Sequence, residues 1–170
     1  MKIQRRVAIS TAFVSLFLLL AGFITAQEQK KSSDKYLCSE TNPGKMCNAS
    51  TACGSSTTGC VVDIKRRGSS SASAVPSIPD VKRTGPFCVK VGTTVTFQST
   101  SKDTGFVLDF GPSSPFDPPG AIIGGSDRSV SVVAQRKGCF KYSAGACTSG
   151  TIYGMCGSVD TELVVTDNNK

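Results

Sequence analysis

Eight cysteines, Cys38, Cys47, Cys53, Cys60, Cys88, Cys139, Cys147 and Cys156, all lie beyond the apolar stretch near the start of this 170-residue sequence. An even cysteine count downstream of an export signal reads as a disulfide framework, because oxidising compartments keep thiols paired. The spacing favours bridges over metal. The first four cysteines run C-x8-C-x5-C-x6-C and no C-x2-C pair occurs, which leaves zinc ribbons and thioredoxin-type redox motifs unsupported. Short loops close more readily than long ones, so Cys38, Cys47, Cys53 and Cys60 are expected to pair among themselves and the last four likewise.

The export signal itself is read from residues 1–26. Lys2, Arg5 and Arg6 form a basic start, residues 7–24 are almost wholly apolar, and Ala26 offers a small residue before Gln27. This is the pattern of a cleaved secretory signal peptide, and it predicts a secreted or periplasmic protein. Left uncleaved, the 18-residue apolar run would reach the lower edge of a membrane span, and membrane contact is expected only in that case. A lipid anchor is closed off because Phe23 stands where a lipobox opening with Leu20, Ala21 and Gly22 requires cysteine.

The formal charge of +7 loses three basic residues with the signal, leaving 16 basic against 12 acidic side chains. From Gly85 onward the two signs balance, so the excess sits earlier, above all at Lys65, Arg66 and Arg67. Such a run could dock on phosphates, head groups or cell-wall anions. It is too short for a nucleic-acid-binding tail, so a solvated run is the expected reading and no nucleic-acid partner is expected.

Composition divides the remaining chain. Residues 27–59 read as a disordered start followed by a cysteine-rich disulfide module too poor in large apolar residues to build its own core. Asn48, Ala49 and Ser50 form a glycosylation sequon, meaningful in a eukaryotic host. Residues 68–79, GSSSASAVPSIP, read as a Ser/Pro-rich connector or a long loop after a first strand at residues 61–65. From Phe87 the texture changes to short β-branched runs punctuated by Gly, Pro and Asp, as in an all-β sandwich. Phe106, Leu108 and Phe110 fall on one face, as do Phe140 and Tyr142. Residues 111–120 hold four of the eight prolines and cannot be a central strand. No segment after residue 26 carries a sustained helical period.

The phrases FCVKVGTTVTF at residues 87–97, KGCFKY at 137–142 and ELVVT at 162–166 resemble strands of the cupredoxin fold. Together with residues 106–125, where Ser114, Pro115 and Phe116 form a turn, they resemble copper-less cupredoxin-like domains of exported bacterial proteins. The resemblance spans about residues 60–166 and implies a Greek-key β-sandwich over residues 60–170. It also implies where copper would sit: a loop running from a thiolate at Cys147 to a methionine at Met155, with a histidine at the position held by Gly150 and a second near residues 110–116. The sequence contains no histidine at all. A type 1 site therefore lacks both imidazoles, and Cys156 stands at a distance from Cys147 suited to bridging a hairpin. No metal and no other cofactor is expected.

The same absence closes Ser-His-Asp, Cys-His and catalytic zinc chemistry. No S-x-x-K spacing precedes a helix signal. Asp109, Asp117, Asp127, Asp160 and Glu162 remain as carboxylates for a glycosidase-like acid and base, although turn and strand-end roles account for Asp117 and Asp160. The leading expectation is a non-catalytic exported domain, structural or recognising an unknown surface or protein partner. The alternatives are a metal or electron-transfer protein with a degenerate Cys147 and Met155 site, and a secreted effector or inhibitor acting through residues 38–60.

Overall fold

In the computed structural model Cys38 and residues 42–55, 57–148 and 156–167 are described, and all lie in one compact unit, Tyr36–Lys170. Residues 1–26, read above as a signal peptide, together with residues 27–35, Gly150 and Met155, lie outside the described residues. Among those described, the one helical turn is a 3-10 turn at Pro43–Met46, and no helix is long and apolar enough to cross a membrane.

Among the described residues nine strands carry the fold: β1 Cys60–Arg67, β2 Ser71–Pro76, β3 Phe87–Lys90, β4 Thr94–Gln98, β5 Thr104–Asp109, β6 Ile122–Gly125, β7 Val130–Val133, β8 Gly138–Thr148 and β9 Cys156–Thr166. They hydrogen-bond in the order β6-β5-β8-β9-β2-β1-β4-β7, with β3 beside β9. Pairing of β2 with β9 is limited to Ser71 and Ser158. The ladder is therefore nearly closed, with β6-β5-β8-β9-β3 on one side and β2-β1-β4-β7 on the other.

Period-two alternation supplies the core. Val62 and Ile64 of β1, Val95 and Phe97 of β4, Phe106 and Leu108 of β5, Phe140 and Tyr142 of β8, and Leu163 and Val165 of β9 all turn inward and are buried. Four aromatic rings meet at one end. Phe116 stands edge-on to Phe97 and Phe110 at 6.0 and 5.3 Å, and Phe110 stacks on Tyr142 at 4.6 Å. The proline-rich stretch 111–120 is a loop as expected, and Ser114 and Phe116 are buried within it. Arg136 fixes that loop, donating through Nε and Nη2 to the Ser114 carbonyl while its guanidinium lies over the Phe140 ring.

Two readings are corrected. The Ser/Pro-rich stretch is not a connector: its residues 71–76 form β2, paired with β1 from Arg67–Ser71 to Val62–Pro76, and Ala72, Ser73 and Ala74 are buried. Glycine is needed on β9 where it meets β2, because a Cβ on the inward-facing Gly157 would lie 2.0 Å from the Ser71 carbonyl oxygen. Pro76 is tolerated because β9 is not paired with that end of β2, having β3 beside it from Leu163 onward. There the loop after β2 takes over, and the Ala74 amide donates to Thr84 Oγ1 at 2.9 Å.

The second correction concerns the cysteines. All eight are paired, but as Cys38–Cys139, Cys47–Cys88, Cys53–Cys60 and Cys147–Cys156. Two bridges cross between the groups that short loops were expected to keep apart. Strand register decides the matter. Cys88 and Cys139 both lie opposite Val164, on either side of β9, and all three point to the outer face. The cysteine-rich segment is fastened there, with Cys88 exchanging backbone hydrogen bonds with Thr51 and Cys53 at 2.8 Å each. This explains why Glu162 and Val164, on the outward side of β9, are nevertheless buried.

Candidate functional site

Three places could carry function: the β8–β9 loop implied by the cupredoxin resemblance, the outer face of β1 and β2 where the basic run lies, and the scattered carboxylates. Each follows from which face of a strand its residues occupy.

At the first, Cys147 and Cys156 are opposite one another in the β8–β9 hairpin, with Cα atoms 4.2 Å apart, and their sulfurs are bonded. Cys147 also lies opposite Gly105, near the start of β5. Phe110 is five residues further along the same chain direction, about 17 Å away at strand rise. The stretch expected to hold a second ligand is therefore at the opposite end of the sandwich from Cys147, where Phe110 and Phe116 fill the core. Nearer to Cys147 is Arg66, which turns inward from β1 and donates from Nη1 to Thr148 Oγ1 at 3.1 Å. A thiolate consumed in a bridge and a guanidinium bonded to the neighbouring residue do not fit a copper centre.

The basic run is divided by strand alternation. Arg66 points inward, whereas Lys65 and Arg67 point outward with Val61 and Asp63. Together with Val75, Pro76 and Ser77 of β2 and its exit, Gln98, and Val81 and Lys82 from the following loop, they line a trough of about 390 Å³. Asp63 is the one acidic residue of this lining. Burial disfavours the Asp63 charge, but the Lys65 ammonium at 2.8 Å and hydrogen bonds from the Thr100 amide and hydroxyl outweigh it and hold the carboxyl below the usual range.

A depressed carboxyl pKa stabilises the fold above the unfolded value, about 3.9, and that contribution disappears as pH falls through the folded value. Because the pair is partly solvated, the effect is on the order of 1 kcal/mol. Asp63→Asn should therefore be less stable than the parent at neutral pH, with the gap beginning to close below about pH 4 and vanishing once pH is under the lowered folded value. Urea unfolding across that range measures this, and a stability gap that stays constant on acidification would refute it.

Among the described residues the five carboxylates are spread over strands and turns. Asp109 ends β5 and accepts from the Gly111 amide at 2.8 Å, Asp117 is exposed in the proline-rich loop, and Asp127 sits in the turn between β6 and β7. Asp160 and Glu162 share the outer face of β9, with Lys141 opposite Glu162. Asn48 is exposed beside the 3-10 turn, and its Oδ1 accepts from the Ser50 amide and hydroxyl at 2.9 and 2.6 Å. Sequence reading missed the trough because it is made by a strand, β2, that composition disguised as a linker. The signal available was the alternation of β1, which separates Arg66 from its neighbours.

No known family model matches the chain, and no curated protein is detectably similar to it.

Proposed function

We propose that this chain is an exported, cupredoxin-like β-sandwich without a type 1 copper site, acting without catalysis as a structural or surface-recognition domain. The observation that carries this reading is the Cys147–Cys156 bridge, which takes the only thiolate that the resemblance offers to copper. Support also comes from the nearly closed two-sided ladder and from four disulfides, which fit an oxidising compartment. Recognition by such a domain rests on surfaces that its rigid strands hold in place.

The test is a thermal melt of the oxidised protein with and without Cu(II). A ligand present at a hundredfold excess over its dissociation constant adds about 2.7 kcal/mol to native stability, so a real site would be obvious. The melting temperature is expected to stay unchanged. A large copper-dependent rise that disappears in Met155→Ala would overturn the reading.

A further inference from the structure

We infer that the trough on the outer face of β1 and β2 docks a short acidic peptide segment of a partner protein, with an aliphatic side chain on its floor and carboxylates on Arg67 and Lys82. The inference rests on the recognition reading and names the surface and the partner chemistry.

Charge placement is the first argument. Lys65 is held by Asp63 at 2.8 Å, so these two largely cancel. Arg67 and Lys82 are exposed, and among the described residues neither is in an ion pair. Arg67 is also oriented, because its Nε donates to Ser73 Oγ at 3.3 Å and the terminal nitrogens remain for an incoming carboxylate. The trough thus presents two uncompensated cations, contributed by β1 and by the loop after β2.

Shape and lining give the second argument. Val61, Val75, Pro76 and Val81 make an apolar floor, which suits an aliphatic side chain. A sulfated glycan or a nucleic acid has no such group to place there. A volume of about 390 Å³ lies at the small end of ligand sites and suits a few residues of peptide. Being concave, the surface also lacks the protruding apolar residues with which a peripheral protein enters a bilayer. Ser77 and Gln98 add polar groups for a peptide backbone.

Fluorescence anisotropy with a labelled octapeptide alternating Glu and Leu tests this at low ionic strength. Saturable binding that weakens with salt is expected, together with a loss of about tenfold in affinity in the double variant Arg67→Glu, Lys82→Glu. Lys102→Glu, outside the trough, should bind as the parent does. A second peptide with Lys in place of Glu leaves the protein unaltered and should not bind. Equal binding of the two peptides, or an undiminished affinity in the double variant, overturns the inference, as does tighter binding to vesicles of anionic phospholipid than to the acidic peptide. Absence of binding in a protein whose melting ignores copper overturns the acidic-peptide assignment while leaving the copper-free recognition reading intact.

Discussion

Phe110→Ala should lower the unfolding free energy by about 3–5 kcal/mol and the melting temperature by more than about 10 °C. The ring is 1% exposed and is held on two sides, stacked on Tyr142 and edge-on to Phe116. Truncation removes its transfer free energy and leaves a cavity that rigid strands on either side cannot collapse. The neighbouring Tyr142→Phe should behave in the opposite way. The Tyr142 hydroxyl is buried without a hydrogen-bond partner among the described residues, and desolvation pushes its pKa upward. Removing that oxygen relieves an unmet polar burial while keeping the ring, so stability should rise by about 1 kcal/mol. Urea unfolding of the two variants measures both. A Tyr142→Phe protein less stable than the parent by that margin would show that the hydroxyl has a partner after all.

The strands that build this core were legible because their burial is local in sequence. Alternation in Phe106, Leu108 and Phe110, and in Phe140 and Tyr142, needs only a two-residue period to be recognised. By contrast β2 carries Ala72, Ser73 and Ala74 in place of β-branched residues, and what makes it a strand is its antiparallel ladder with β1, helped at Ser71 by the close approach of Gly157, more than eighty residues away in the sequence. The short β6, with Gly124 and Gly125 following two isoleucines, gave no alternation to read. Disulfide pairing divides along the same line. Cys147 and Cys156 bracket a hairpin and could be paired from spacing, whereas Cys88 and Cys139 become neighbours only because Val164 of β9 lies between them. The candidate site was half legible. The charges of Lys65, Arg66 and Arg67 were plain, but their division between two faces, and the addition of Lys82 from a loop, depend on the tertiary placement of β1 and β2.

The bridge of largest expected effect is Cys38–Cys139, which spans a sequence separation of 101. A cross-link stabilises chiefly by shrinking the unfolded ensemble, and closing a loop of that length contributes about 4–5 kcal/mol, against about 3 kcal/mol for loops of some fifteen residues or fewer. Converting both residues to alanine, Cys38→Ala with Cys139→Ala, should therefore cost more than the same change at Cys147 and Cys156, whose separation is 9. A local consequence separates this from a purely entropic loss. Cys139 is next to Val164 and one row from the Lys141–Glu162 pair, on the outer face that the cysteine-rich segment adjoins. Freed at its first described residue, that segment should fray up to Cys47, where the bridge to Cys88 still holds it. Glu162 and Val164 should then lose amide protection in hydrogen exchange while Leu108 and Phe97 in the interior keep theirs. If the two double variants lose equal stability, loop length does not set the contribution of these bridges. If protection at Glu162 and Val164 is unchanged, the bridge does not hold the segment against that face.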